Sequence, residues 1–175
     1  PSAMAEEIAK ARLKDPRLIE LILRETEKIV KASSDTLIVR NKNGLICINA
    51  GIDKSNVEGD DAYALLPSNS DDSARRIHAQ INKLTGKNVS VVICDTYSRP
   101  FRRGQTEFAI GIAGINPFKD YLGQRDLFGY ILKVKNSAVA DEIASAAELL
   151  MGQGNEAVPV VIIKNLGIVK LTDDA

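Results

Sequence analysis

Apolar positions recur every three to four residues at the start of the chain, and after about residue 35 they begin to alternate instead. The first pattern belongs to helices and the second to half-buried strands. Ala-rich Ser2–Lys14 reads as one helix. Asp15-Pro16 opens a second, with Asp as N-cap and Pro in the first turn. This second helix is predicted over Pro16–Lys31, with Leu18, Ile19, Ile22, Ile29 and Val30 near one face. Glu20–Arg24 and Glu27–Lys31 then form i,i+4 pairs on the wet face. Thr36–Arg40 and Leu45–Asn49 flank Asn41-Lys42-Asn43-Gly44, whose Asn-Gly step suits a tight hairpin turn. A polar loop follows over Ala50–Val57, then a short strand over Ala62–Leu66 that Pro67 stops.

Further along, Ser70 is the expected cap of a helix over Asp71–Leu84 with the stripe Ala74, Ile77, Ile81 and Leu84; Gly86 ends it. Val89–Cys94 reads as a buried strand running into Asp95-Thr96. In Phe108–Ala113 bulky residues alternate with Ala109, Gly111 and Ala113, so one strand face is small enough for close approach of a backbone or ligand. Tyr130–Lys135 is a further expected strand. Ser137 caps a helix over Ala138–Met151 with Val139, Ile143, Ala146, Ala147 and Leu150 inward. Val158–Lys164 and Ile168–Leu171 complete the expected strands. Hairpin connections dominate, so the expected class is α+β, with mixed, largely antiparallel sheets and flanking helices. The 175 residues are expected to form a single domain, 1–175.

Charge narrows the function. Lys plus Arg and Asp plus Glu are 23 each, for a net charge of zero. Nucleic-acid binders carry a basic excess, so bulk affinity for DNA or RNA is disfavoured. No apolar run reaches the ~18 residues of a membrane span, and the charged start lacks a secretory apolar core. The two cysteines, Cys47 and Cys94, read as free thiols in apolar strands. Together these features point to a cytoplasmic protein.

Within that neutral background, chemistry must be local. Asp53 and Asp95 each stand at a strand end, where scaffolds present functional groups. They can share a hard divalent cation or simply stabilise their own turns. Arg99, Arg102 and Arg103 concentrate positive charge, with Tyr97 and Phe101 as stacking surfaces. They form a phosphate clamp or a solvated basic loop. His78, the single histidine, has no nucleophile motif around it and reads as structural. No Walker or dinucleotide fingerprint is present.

Several separated strings together resemble one family. They are Gly51-Ile52-Asp53-Lys54-Ser55-Asn56-Val57; Leu65-Leu66-Pro67 with Ser73-Ala74-Arg75-Arg76-Ile77; Cys94-Asp95-Thr96 with Arg99-Pro100 and Arg102-Arg103-Gly104; Ala109–Gly114; and Asp141-Glu142 with Leu149-Leu150-Met151-Gly152-Gln153. In this order they resemble the coenzyme F420-0:γ-glutamyl ligase family, from about Lys14 onward. The resemblance implies an α+β fold that dimerises through intertwined sheets. It implies GTP-dependent activation of the terminal carboxylate of F420-0 as an acyl phosphate, attack by the amine of L-glutamate, and release of GDP and phosphate. It also implies Mg²⁺ or Mn²⁺, with K⁺ assisting. By resemblance, Asp53 and Asp95 hold metal, Asn56 touches nucleotide and Thr96 is a further ligand or phosphate contact. The stretch containing Met151, Gly152, Gln153 and Gly154 is then a nucleotide loop, with Gln153 on a second metal. Arg99 and Arg102 are expected to clamp a phosphate of GTP or F420-0. Compared with the family, the chain is expected to begin after an N-terminal segment bearing nucleotide contacts and to lack a nitroreductase-like extension. The alternative reading is a catalytically impaired metal- and nucleotide-binding relative or fragment.

Overall fold

The computed structural model describes residues 1–12, 14–33 and 36–167. Four helices and small antiparallel sheets among the described residues make it α+β, as the pattern predicts. Two compact units are present, Pro1–Ser68 and Asn69–Ala175.

In the first unit, α1 (Ala3–Arg12) buries Ala5 and Ala9, one turn apart on a face narrow enough for close packing against α2 (Pro16–Glu25). Asp15 caps α2 as expected, accepting from the Arg17 N–H at 2.7 Å. The helix stops at Glu25, six residues before the expected end at Lys31. Thr26 turns its Oγ1–H onto the Ile22 carbonyl at 2.7 Å, and Thr26–Ala32 continue as strand β1. The β-branched Thr26, Ile29 and Val30 favour extended backbone, and β2 (Leu37–Asn41) offers an edge for it. Glu20–Arg24 remains a helical pair at 3.4 Å. Glu27 instead reaches across the ladder to Arg40 at 2.7 Å.

β2 and β3 (Ile46–Ile48) form the predicted hairpin, with Val39 opposite Cys47. Buried Asn41 organises its turn. Its Oδ1 accepts from the Asn43 and Leu45 N–H groups, each at 3.0 Å, and Gly44 supplies the positive φ of 84°. The core joins Ala5, Ala9, Ile19, Ile22, Leu37, Val39, Ala50 and Ile52. After a 3-10 turn at Asn49–Gly51, Asp53 and Ala64 form an isolated antiparallel bridge; the expected strand over Ala62–Leu66 reduces to that bridge.

The second unit opens with α3 (Ser70–Thr85). Asn69 is its cap in place of the expected Ser70, accepting from the Asp72 N–H at 2.9 Å. Ala74 is buried, whereas Ile77 and Leu84 are exposed. β4 (Val91–Ser98) and β5 (Gln105–Ala113) form an antiparallel hairpin longer than the predicted runs. Close approach occurs at Gly111, where a Cβ would collide with the Ser70 carbonyl, so the first turn of α3 rests there. The expected small face is not continuous, because a register shift between Ile93 and Cys94 separates Ala109 from Gly111 and Ala113. β6 (Phe118–Asp120) pairs with β7 (Asn136–Ala138). Tyr130–Lys135 is no strand; Ile131 alone bridges to Arg125. Asp126 instead folds this stretch into a turn, its Oδ1 accepting from Phe128 and Tyr130 N–H at 2.9 and 2.8 Å.

α4 (Val139–Met151) starts from Ala138 without a side-chain cap, because the expected cap Ser137 is committed to β7. Its buried face carries Val139, Ala140 and Ala144, while Ala146 and Leu150 are exposed. The rotation has a cause: Asp141, Ser145 and Glu148, at spacings of four and three, take the side facing β5. Val158–Lys164 adopts no regular structure. Pro159 lacks a ladder donor, and Val160 and Ile162 are exposed. The expected strand Ile168–Leu171 lies outside the described residues. Among the described residues no helix is long and apolar enough to cross a membrane.

Candidate functional site

β5 has one edge on β4, and its other edge would leave N–H groups unpaired. Three carboxylates fill that role. Asp71 of α3 accepts from Ile112 at 2.8 Å, and Asp141 and Glu148 of α4 accept from Ala109 and Glu107 at 2.9 and 3.1 Å. The Ser145 hydroxyl donates to the Glu107 carbonyl at 2.8 Å. These bonds pin the C-terminal half of α4 beside the end of the hairpin.

Thr96 lies opposite Glu107 in the ladder, so the two side chains share a face. The Thr96 hydroxyl is 2.9 Å from Glu107 Oε1 and 3.0 Å from Gln153 Oε1. Gln153 Nε2 donates to Glu107 Oε1 at 2.9 Å and to Glu148 Oε1 at 2.8 Å. Thr96 and Gln153, both expected at the site and 57 residues apart, are thus brought together. Glu107 and Glu148 were not anticipated from sequence. A signal was present for Glu148, which continues the Asp141–Ser145 row. None marked Glu107, because the register shift between Ile93 and Cys94 breaks the alternation that would link it to the Gly111 face.

Glu107 is 8% exposed, and among the described residues no Lys or Arg is in ion-pair contact with it. A buried carboxylate normally has a cationic partner. Its neighbour Cys94 feels the same field. Burial first, then Glu107, with Asp95 and Glu148 adding, pushes the thiol up to about 12. Cys94 is therefore protonated at neutral pH and is no thiolate nucleophile. Cys47 and Cys94 form no disulfide among the described residues and are half-buried.

Asp95 precedes Thr96 and pairs with Phe108, so strand alternation sends it to the opposite face. That face also carries Tyr97, whose ring packs on Phe108 at 4.8 Å. Arg99, Arg102 and Arg103 occupy the exposed β4–β5 turn, closed by Arg102 N–H on the Arg99 carbonyl at 3.3 Å. Phe101 is fully exposed with a positive φ of 60°. Met151 ends α4, and Gly152 donates to the Glu148 carbonyl at 2.8 Å. The Gly154 N–H holds an anionic oxygen, Glu156 Oε2, at 2.8 Å. His78 packs against Gly114 with Nδ1 buried and without a partner, in keeping with a structural role.

Asp53 and Asn56 belong to the first unit. The Asp53 carboxylate accepts from Lys54 N–H at 2.7 Å, Ser55 N–H at 3.1 Å and the Ser55 hydroxyl. Burial raises its pKa, but the hydrogen bonds from Ser55 and Lys54 outweigh this and hold it below the ordinary value. Asn56 takes a positive φ of 53° in the same turn. Among the described residues no three His, Cys, Asp or Glu side chains form a ready metal cluster.

The fold and this arrangement define an α+β protein with hard oxygen donors gathered where β4, β5 and the end of α4 meet. The chain belongs to the F420-0:Gamma-glutamyl ligase family, whose profile matches residues 1–165. It is 44% identical over 168 residues to the coenzyme F420:L-glutamate ligase of Methanocaldococcus jannaschii, covering 96% of this chain and 67% of that protein. The namesake enzyme of Methanothermobacter thermautotrophicus is 46% identical, with 94% and 65% covered. That of Archaeoglobus fulgidus is 44% identical, with 96% and 67% covered. The chain thus spans about two thirds of the length of these curated relatives.

Proposed function

We propose that the chain serves an amide-bond-forming ligase that joins L-glutamate to coenzyme F420-0 with hydrolysis of GTP. Family membership supplies the reaction class. The observation that carries the reading to this site is the convergence at 3.0 Å of Thr96 and Gln153, two residues of separate motifs that are both expected at the site.

The donor set fits Mg²⁺ or Mn²⁺. Thr96 Oγ1 and Gln153 Oε1 are hard oxygens, and the buried Glu107 carboxylate beside them has no cationic partner among the described residues. Thr96 and Gln153 would hold one divalent cation, with K⁺ assisting; Asp95 and, in the first unit, Asp53 are each proposed as metal ligands. Such a cation supplies neutralisation of phosphate charge, the main demand of phosphoryl transfer. Asn56 and the Met151–Gly154 loop bind nucleotide. The anionic oxygen on the Gly154 N–H supports this, since such an N–H donates equally well to a phosphate oxygen. Arg99 and Arg102, exposed and unpaired with carboxylates among the described residues, bind a phosphate of GTP or F420-0.

In the reaction a carboxylate oxygen of F420-0 bonds to the γ-phosphorus of GTP as the bond to GDP breaks. The glutamate amine nitrogen then bonds to the activated carbonyl carbon. Phosphate leaves with the C–O pair, and the nitrogen loses a proton. Binding in the protein orients the three reactants, which contributes to the rate beside the neutralisation of charge. The exposed apolar stretch with Leu127, Phe128 and Val134 supports a homodimer.

The test is incubation with F420-0, glutamate, GTP and Mn²⁺, read by mass spectrometry. A gain of one glutamyl unit that needs both GTP and Mn²⁺ is expected. Absence of product despite a GTP- and Mn²⁺-dependent rise in melting temperature would instead mark a binding-competent, non-catalytic relative.

A further inference from the structure

The hydrogen-bond count around Gln153 has a directional consequence. Its amide has two N–H donors, and both are committed, to Glu107 Oε1 and Glu148 Oε1. The opposite flip would aim the amide oxygen at two carboxylates, so the network itself assigns the orientation. Thr96 has one hydroxyl proton and two acceptors in reach, Glu107 Oε1 at 2.9 Å and Gln153 Oε1 at 3.0 Å. The carboxylate is the stronger acceptor and takes it. Gln153 Oε1 and Thr96 Oγ1 then face each other through lone pairs, with no proton between them. That is an unfavourable arrangement for two oxygens alone and a favourable one for a hard cation beside them.

We infer that Glu107 and Glu148 are positioning residues: by accepting both Nε2 protons of Gln153 and the Thr96 hydroxyl proton, they turn two neutral oxygens toward one divalent cation. The inference rests on the ligase reading above, which places a cation at Thr96 and Gln153. It adds that the oxygen face of Gln153 is not a property of Gln153 but is imposed by the two carboxylates. Outer partners of this kind commonly change metal affinity by about 10–100-fold when removed.

The test uses the full chain and Mn²⁺ with GDP, followed by electron paramagnetic resonance of free Mn²⁺. Wild type is compared with Glu107→Gln, Glu148→Gln and Glu142→Gln, the last an exposed α4 carboxylate with the same charge change. A drop of about 10–100-fold in Mn²⁺ affinity is expected for the first two, with melting temperature not lowered and Glu142→Gln within twofold of wild type. Wild-type binding with all variants unchanged, or with all three equally weakened, overturns the positioning role and leaves the ligase reading standing. No Mn²⁺ bound by wild type overturns the cation of the ligase reading and the positioning role with it. A second measurement does not depend on any variant folding. In ¹⁵N-glutamine-labelled wild type, both Gln153 side-chain protons should resonate downfield as hydrogen-bonded to carboxylates. Ordinary, solvent-exposed positions for both would overturn the inference.

Discussion

Two carboxylates, Asp53 and Glu107, occupy opposite physical situations. Asp53 is exposed, and residues one and two places further on satisfy it. The donors to its side chain are local, so they are supplied by the sequence around it. Glu107 is buried and is served by Thr96 and Gln153, 11 and 46 residues away. It also lies next to a second carboxylate, Glu148, which Gln153 Nε2 bridges to it. The first carboxylate holds a turn whatever else it does. The second is an expense to the fold, and such an expense is kept where a site needs charge.

The scaffold beneath the second carboxylate gives the largest effect. Gly111→Val drives a side chain into the Ser70 carbonyl and should destabilise by about 3 kcal/mol, as overpacked cores do. Denaturant unfolding with hydrogen exchange at β5 amides measures it. A change below the error of the extrapolation would mean that α3 can slide off the small face.

The two carboxylates should next separate by sign. Asp53→Ala removes the acceptor for Lys54 and Ser55 and should cost about 1 kcal/mol. Glu107→Gln, without divalent cation, should be neutral or stabilise by about 1 kcal/mol, because an uncompensated buried charge is relieved. Equal losses from both substitutions, measured by thermal unfolding in a chelator, would erase the distinction.

The same division decides what was legible. The Asp15 cap and the Asn41–Gly44 hairpin each rest on neighbours in sequence, and each formed as read. The small face of β5 formed only in part, because a bulge splits it between Ala109 and Gly111. Thr26–Ala32 was misread because Ile29 and Val30 fit a helix stripe as well as a strand; the edge of β2, invisible in a local window, chose. The α4 face was misread because polar residues bind β5 there, against the usual rule that the apolar stripe points inward. Thr96 and Gln153 came from resemblance. Glu107 and Glu148 went unseen because their meaning lies in the β4–β5 register, and register is a tertiary fact.

Titration should place the two regions at opposite ends of the pH scale. Asp53 has a folded pKa below its ordinary 3.8, so its contribution is present above that value and is lost as pH falls below it. Cys94 has a folded pKa of about 12 against 9.0. The unfolded thiol therefore ionises first, and stability falls as pH rises above about 9. Asp53→Asn should flatten the acid limb of a stability–pH curve and Cys94→Ala the alkaline limb. Exposure of Asp53 to solvent keeps its limb shallow. Exchange of the two assignments, with Cys94→Ala altering only the acid limb, would overturn this account.

The smallest effect asks whether ladder or neighbourhood chooses a partner. Glu27 has Lys31 four residues on, the right spacing for a helix, but its strand hands it Arg40, 13 residues away, at 2.7 Å. Both side chains are about half exposed, so a double-mutant cycle for Glu27 and Arg40 should give only about 0.2–1 kcal/mol of coupling. The Glu27–Lys31 cycle should give none, since strand positions four apart are separated by roughly 13 Å and lack the helical geometry that brings such pairs together. Raising the salt should shrink the first coupling and leave the second at zero. Coupling to Lys31 in place of Arg40 would return these residues to the helix that the local pattern predicts, and would show that here neighbourhood outranks register.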